Sequence, residues 1–321
     1  MKVIYNGAYK LKRAVITGPT GAIGTALIQC MSDNGIQVVA VVRPGSKRAG
    51  RIQESDNVKV VYCDLKELNR LTELIPEGAD TFYHFGWDGT FGTSRNNMYG
   101  QNENVRYALD AVEAAKALGC STFVGAGSQA EYGRFEGKLN AGVPAFPENG
   151  YGIAKLCAGQ MTRIACREKG IKHIWVRILS VYGPYDGENT MVSSTIIKLL
   201  KKEKPSCTKG EQMWDYLYSK DAAKALLALS EKGRDGQVYC LGSGQPRPLK
   251  EYIAVIRDTV DKSLPVGFGE VPYSDRQVMY LCADIEDLVR DTGFQPSYTF
   301  EQGIAETVSW WKNQLTKGQV E

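Results

Sequence analysis

The sequence predicts an α/β fold: a Rossmann-type, doubly wound parallel sheet with a smaller, discontinuous C-terminal lobe. Three observations carry that expectation. Short β-branched runs alternate with helical patterns over the first two-thirds of the 321 residues, and this rhythm buries parallel strands between two helical layers. A glycine-spaced turn, Gly18-Pro19-Thr20-Gly21-Ala22-Ile23-Gly24, joins the first strand to the first helix. After Gly183-Pro184 the alternation breaks down, which marks a second lobe.

In chain order, residues 14–17 predict the first strand and 22–32 the first helix. Further strands are expected at 38–42, 58–62, 81–85, 122–126 and 174–178, with long helices at 102–118 and 151–169. Beyond the break, 193–202 is helical in pattern, and strands at 214–218 and 237–241 flank a helix at 221–230. Three more helical stretches follow residue 249, separated by Pro265, Pro272 and Pro296. The expected boundaries give a dinucleotide-binding domain at 1–182 and 215–245, and a substrate-binding lobe at 183–214 and 246–321.

Composition narrows the function. Lys and Arg total 39 against 36 Asp and Glu, a net charge of +3, which offers no handle for nucleic acid or an acidic membrane. No apolar run reaches the roughly 18–20 residues that span a bilayer. The first twelve positions include Tyr5, Asn6 and Gly7 and lack an apolar core, so no signal peptide and a cytoplasmic location are expected. The eight cysteines contain no C-x-x-C pair and the chain has two histidines; free thiols in a reducing compartment are expected, and no metal. His173, at the start of a strand, is expected to be structural.

The glycine turn allows a tight bend, a close approach of backbone to a pyrophosphate, and close helix–sheet packing. Gly18, Thr20, Gly21, Ala22, Ile23 and Gly24 are therefore the candidate cradle for a dinucleotide diphosphate, with the helix N-terminus supplying free N–H groups. An acidic residue after the second strand would favour NAD. This chain has Arg43, Lys47 and Arg48 there instead, a set suited to a 2′-phosphate, so NADP is expected, with NAD the alternative. Asp64 and Leu65, and Phe85 and Gly86, follow the third and fourth strands and are placed to line the adenine and ribose.

Tyr151 and Lys155 open a long helix at i, i+4 spacing, which sets phenol and ammonium on one face. A phenol of ordinary acidity is a poor base at neutral pH; a neighbouring cation brings it into range. Ser128, at the end of the fifth strand, can hydrogen-bond the same substrate oxygen.

On these residues the chain resembles the extended short-chain dehydrogenase/reductase family, in its nucleotide-sugar epimerase, dehydratase and reductase branch. The resemblance runs through Thr17–Gly24, Tyr83-His84-Phe85-Gly86, Asn104-Val105, Ser128 with Tyr132-Gly133, and Tyr151 with Lys155. It continues through Arg177 with Val181-Tyr182-Gly183-Pro184, the stretch Asp215 to Asp221, and Gly293-Phe294-Gln295-Pro296. It implies Ser128, Tyr151 and Lys155 as the catalytic set, with Tyr151 and Lys155 also touching the cofactor. It also implies a homodimer that pairs the helices at 102–118 and 151–169, for which Cys157, Met161 and Ile164 give an apolar stripe.

The departures from the family pattern carry information too. Gln129 and Ala130 stand where 4,6-dehydratases place acidic residues for eliminating water, and Glu131 comes one position later. Ser180 replaces an Asn, and Trp214 an Arg, that help hold a substrate diphosphate, whereas Arg276 keeps another Arg of that clamp. Gln129, Ser180, Trp214 and Arg276 are thus the candidate substrate contacts. The expected activity is NADPH-dependent reduction of a 4-keto or 4-keto-6-deoxy nucleotide sugar. Two alternatives stand beside it: a nucleotide-sugar 4-epimerase with tightly bound NAD, and a catalytically silent dinucleotide sensor.

Overall fold

A computed structural model of the chain describes residues 11–275 and 277–318. Its centre is a seven-stranded sheet of β1 (Arg13–Thr17), β2 (Gln37–Val42), β3 (Val58–Tyr62), β4 (Thr81–His84), β5 (Thr122–Ser128), β6 (Lys172–Ile178) and β11 (Gln237–Leu241). The order is β11-β6-β5-β4-β1-β2-β3, and every neighbouring pair is parallel. The strands are near-continuous apolar runs because both faces are covered. Alternate residues go to opposite layers: Ala14, Ile16, Val38 and Ala40 meet one core, while Val15, Val39 and Val41 meet the other.

On the first layer lie α1 (Ala22–Asp33) and α6 (Ser219–Lys232), bringing Leu27, Met31, Leu226 and Leu229 onto the sheet. On the second lie α3 (Met98–Ala117) and α4 (Gly150–Lys169), with the four-residue α2 (Leu71–Leu74) beside β3. Strand order reverses between β1 and β4, so the connections leave in opposite directions and open a crevice at the carboxyl ends of the strands.

A further core gathers α5 (Met191–Leu200), α7 (Leu249–Asp261) and α9 (Phe300–Thr316) around Tyr182, Ile196, Tyr252, Phe300 and Trp311. Short pairs decorate it: β7 (Ser180–Tyr182) with β10 (Tyr216–Tyr218), β9 (Met213–Trp214) with β12 (Arg247–Pro248), and β8 (Ser206–Cys207) with β13 (Gly267–Phe268). Helix α8 (Glu286–Thr292) completes the chain order.

Two fully buried aspartates tie the late segments to the rest. Asp221 accepts from Ser297 N, Ser297 Oγ and Tyr298 N, and Asp215 from Ser243 N, Gly244 N and Ala283 N. Buried carboxylates must be satisfied in this way.

Most expected elements appear within a few residues of their predicted bounds, and α7, α8 and α9 are the three helices expected after residue 249. Three differences stand out. Helix α3 starts at Met98, four residues early, because the Asn97 side chain caps it by accepting from Gly100 N. The strand expected at 214–218 is split into β9 and β10, since Asp215 turns inward at the break. The segment between Pro265 and Pro272 holds only β13. Among the described residues no helix is long and apolar enough to cross a membrane.

Candidate functional site

The predicted residues assemble along the carboxyl edge of the sheet, beginning with the glycine turn. Gly18 has φ +66°, and a Cβ there would fall 2.6 Å from Gly86 N; only glycine fits both demands. A Cβ at Gly24 would fall 2.5 Å from Pro19 O, so α1 presses directly on its own entry loop. A Cβ at Gly21 would meet nothing within 4 Å. Gly21 is the N-cap of α1, in extended conformation and without a side-chain cap. Space is thus open beside Gly21 at the start of α1, the positive end of a helix dipole, which fits an anionic diphosphate.

Around this turn, Leu65 and Gly86 are in contact, since a Cβ at 86 would fall 2.9 Å from Leu65 Cδ2. Phe85 N donates to Thr17 O, Gly86 N to Thr17 Oγ1, and Asp64 caps its own turn by accepting from Lys66 N. Arg43, Lys47 and Arg48 are exposed beyond β2, with Arg43 Nη1 3.8 Å from Asp88 Oδ1. A residue the sequence did not single out joins them. Arg51 Nη1 donates to Thr20 O (3.1 Å) and to Tyr185 O (3.3 Å), and its guanidinium lies over the Tyr185 ring. The available signal was a further arginine in the same basic loop; its partner, more than a hundred residues away, was not legible.

At the other end of the crevice, α4 packs on the turn after β5. Asn149 caps the helix by accepting from Gly152 N (2.9 Å), and a Cβ at Gly152 would fall 2.2 Å from Ala130 O. That close approach brings Tyr151 beside Ser128, whose hydroxyl favours the ionised phenol and itself accepts from Ala130 N at 3.2 Å. Lys155 is buried; its Nζ donates to Ala126 O (2.7 Å) and lies 3.7 Å from the centroid of Trp87. Trp87 meets the Tyr151 ring edge-on, and the Arg95 guanidinium stands 4.7 Å from the centre of that ring.

Burial dominates the titration of this site. It pulls the Lys155 ammonium down to about 7, opposed by the Glu131 carboxylate. It pushes the Tyr151 phenol above its ordinary value, opposed by the Ser128 hydrogen bond and the Arg95 charge. In the chain by itself, neighbouring cations therefore do not bring the phenol down as the spacing with Lys155 suggested; desolvation outweighs them. His84, beneath Lys155, is pulled down to about 3 by burial and shares a hydrogen bond with Thr17 Oγ1. His173 is likewise buried, stacked between Phe123 and Trp175 and bonded to Thr162 Oγ1.

Glu131 does not face the crevice. It is fully buried and accepts from Ser128 N (2.8 Å), Trp175 Nε1 (3.0 Å) and Arg177 Nε (2.7 Å). On the substrate side, Trp214 Nε1 donates to Ser180 Oγ at 2.8 Å, so the two altered clamp positions are partners of each other. Gln129 is half-buried in the turn after Ser128, and Arg276 lies outside the described residues. All eight cysteines are free thiols. Among the described residues, no group of three or more His, Cys, Asp or Glu side chains is arranged to hold a metal ion.

A model of the NAD dependent epimerase/dehydratase family matches residues 14–242. The chain is 23% identical to CDP-abequose synthase of Salmonella typhimurium, over 91% of this chain and 96% of that protein. It is 28% identical to dTDP-glucose 4,6-dehydratase of Xanthomonas campestris over 56% of this chain, and spans about half (54%) of that relative. In fold it is similar to UDP-N-acetylglucosamine 4-epimerase of Methanobrevibacter ruminantium, solved in complex with UDP-N-acetylmuramic acid. That likeness has a TM-score of 0.85 and 22% identity, covering 95% of this chain and 100% of the other.

Proposed function

This chain belongs to the NAD dependent epimerase/dehydratase family, and on that premise we propose that it is an NADPH-dependent reductase of a 4-keto or 4-keto-6-deoxy nucleotide sugar. The observation that carries the reading is the Ser128–Tyr151–Lys155 cluster beside a turn whose carboxylate, Glu131, points into the core. Such a site has a proton donor and an oxygen-orienting hydroxyl, with no acid from that turn for eliminating water. The similarity to CDP-abequose synthase over nearly the whole of both chains supports a nucleotide-sugar substrate.

The cofactor fits the site: the open space over Gly21 takes its diphosphate and the exposed Arg43, Lys47 and Arg48 its 2′-phosphate. When bound it supplies the hydride. Ser128 holds the substrate carbonyl oxygen, Tyr151 gives it a proton, and Lys155 engages the nicotinamide ribose. The substrate is held by residues 183–214 and 246–321, with Gln129, Ser180, Trp214 and Arg276 as contacts. The exposed face of Ile153, Cys157, Met161 and Ile164 on α4 supports a homodimer, which sedimentation velocity measures.

One observation favours a second reading. Arg43 has an exposed partner in Asp88, 3.8 Å away, so its position does not by itself require a 2′-phosphate, and a 4-epimerase that retains NAD is the second reading. The test is mass spectrometry of small molecules released on denaturation, with NADPH and NADH titrations. The reductase is expected to bind NADPH more tightly, and Tyr151→Phe to keep that binding while losing turnover by roughly 10²–10⁴-fold. Tightly retained NAD would turn the assignment to the epimerase, and undiminished turnover in Tyr151→Phe would remove Tyr151 from the chemistry.

A further inference from the structure

We propose that Arg95, standing over the ring of Tyr151 on a loop the fold holds fixed, is a positioning residue that supplies the phenol with a permanent positive charge. The inference rests on the reading of Tyr151 as the acid/base group and adds a second cation to it.

Measured to the Tyr151 ring, Arg95 stands nearer than Lys155. The guanidinium carbon lies 4.7 Å from the centre of the Tyr151 ring, against 5.8 Å for Lys155 Nζ. The ammonium is also committed elsewhere, to Ala126 O and the face of Trp87.

Arg95 is held there by a loop anchored at several points. Buried Gln101 accepts from Trp87 Nε1 (2.9 Å) and donates from Nε2 to Gly89 O (2.9 Å) and Ser94 O (3.1 Å). Asn104 brackets Asp88, accepting from its N–H and donating to its carbonyl. Asn96, the next residue after Arg95, accepts from Gly150 N, immediately before Tyr151. The loop that carries Arg95 is thus tied both to α3 and to the first residue of α4, while Arg95 itself is half-buried, with its guanidinium over the Tyr151 ring.

The charged groups near the phenol come from three elements. Lys155 lies on α4 itself; Glu131 lies on the turn after β5, ion-paired to Arg177 of β6; and Arg95 lies on the loop before α3. Of the nearby charges, Arg95 favours the phenolate and Glu131 opposes it. Lys155 loses its proton near neutrality, whereas a guanidinium stays charged at any working pH. When the phenol passes its proton to the substrate oxygen, the phenolate left behind faces a cation that does not titrate. Arg95 neither gains nor loses a proton or electron in that step.

The test is a pH titration of the full chain in the presence of NADP⁺, using ¹³Cζ-tyrosine NMR with the Tyr151 resonance assigned by Tyr151→Phe. Arg95→Met is expected to move the Tyr151 midpoint up by about one to two pH units, and Arg95→Lys to restore most of it. Arg95→Gln provides a second neutral variant should the Met variant not fold. A wild-type midpoint in folded Arg95→Met or Arg95→Gln overturns the proposal, including where substrate KM rises, because Arg95 would then be a substrate anchor. This readout needs no turnover, so it is separate from the loss of activity in Tyr151→Phe on which the enzyme reading depends.

Discussion

Between β1 and α1 the chain works with backbone and empty space; between β5 and α4 it works with buried charge. The first region holds Gly18, Gly21 and Gly24, with no side-chain cap on the helix. The second holds Glu131, with Lys155 of α4 and Arg177 of β6 around it, each with less than a tenth of its surface exposed. A diphosphate brings its own charge, so its cradle needs only donors and room. Proton transfer needs charges at fixed places in a desolvated site, and holding them there costs stability. Each region therefore predicts a different response to substitution.

The largest effect is expected at Glu131. Removing it in Glu131→Ala strands the buried Arg177 guanidinium and the Ser128 and Trp175 N–H groups. Breaking a buried pair of this kind costs about 3–5 kcal/mol, read as a lower urea midpoint with an unchanged slope. Glu131→Gln, which can still accept from Ser128 N, is expected to lose less. A loss in Glu131→Ala below about 1 kcal/mol would mean that the catalytic turn does not depend on its buried charge, and the contrast between the regions would fail.

That contrast also separates what could be read in the sequence from what could not. Parallel strands covered on both faces leave continuous apolar runs, so the sheet and its order of elements were legible. Gly18 to Gly24 and the Tyr151/Lys155 spacing were legible because each is local: one turn of chain, or one turn of helix. Glu131 was visible as an offset from Ser128, but an offset does not say which way a side chain points. Its inward direction is set by Arg177 and Trp175, more than forty residues away. Trp87 and Arg95 carried no local signal, because a loop without periodicity is placed by its hydrogen bonds to helices, here to Gln101 of α3 and the start of α4. The pairing of Trp214 with Ser180 is hidden for the same reason.

A smaller effect, of opposite sign, is expected at Lys155. Its folded value of about 7 lies below the ordinary 10.5 for lysine, so between those two values the unfolded chain binds more protons. The cost of burying the ammonium is then fully present below about pH 7 and is relieved as pH rises toward 10.5. Lys155→Met removes that cost at the price of activity. It is expected to raise stability by about 1–3 kcal/mol at pH 6, with the advantage over wild type shrinking by pH 9. Thermal unfolding at the two pH values measures this, and equal stability of the two proteins at pH 6 would show that the ammonium is not buried in solution.

The smallest effect on the fold is expected at Gly21, and it separates the three glycines. Gly18 and Gly24 are required by the chain itself, since a Cβ at either position would overlap backbone at 2.6 Å or less. Gly21 is not: its φ of −91° and ψ of 177° suit any residue, and a Cβ there touches nothing. Gly21→Ala should therefore change unfolding free energy by under about 1 kcal/mol, the scale of a helix-cap preference. The same methyl group would project into the space where a diphosphate must approach the helix N-terminus. Dinucleotide affinity should consequently fall at least about tenfold, some 1.4 kcal/mol, in a protein whose melting curve is nearly unchanged. Affinity falling only in step with stability would mean that Gly21 serves the turn and not a ligand. A loss of binding alone would show that this position is kept free for something the chain does not itself contain.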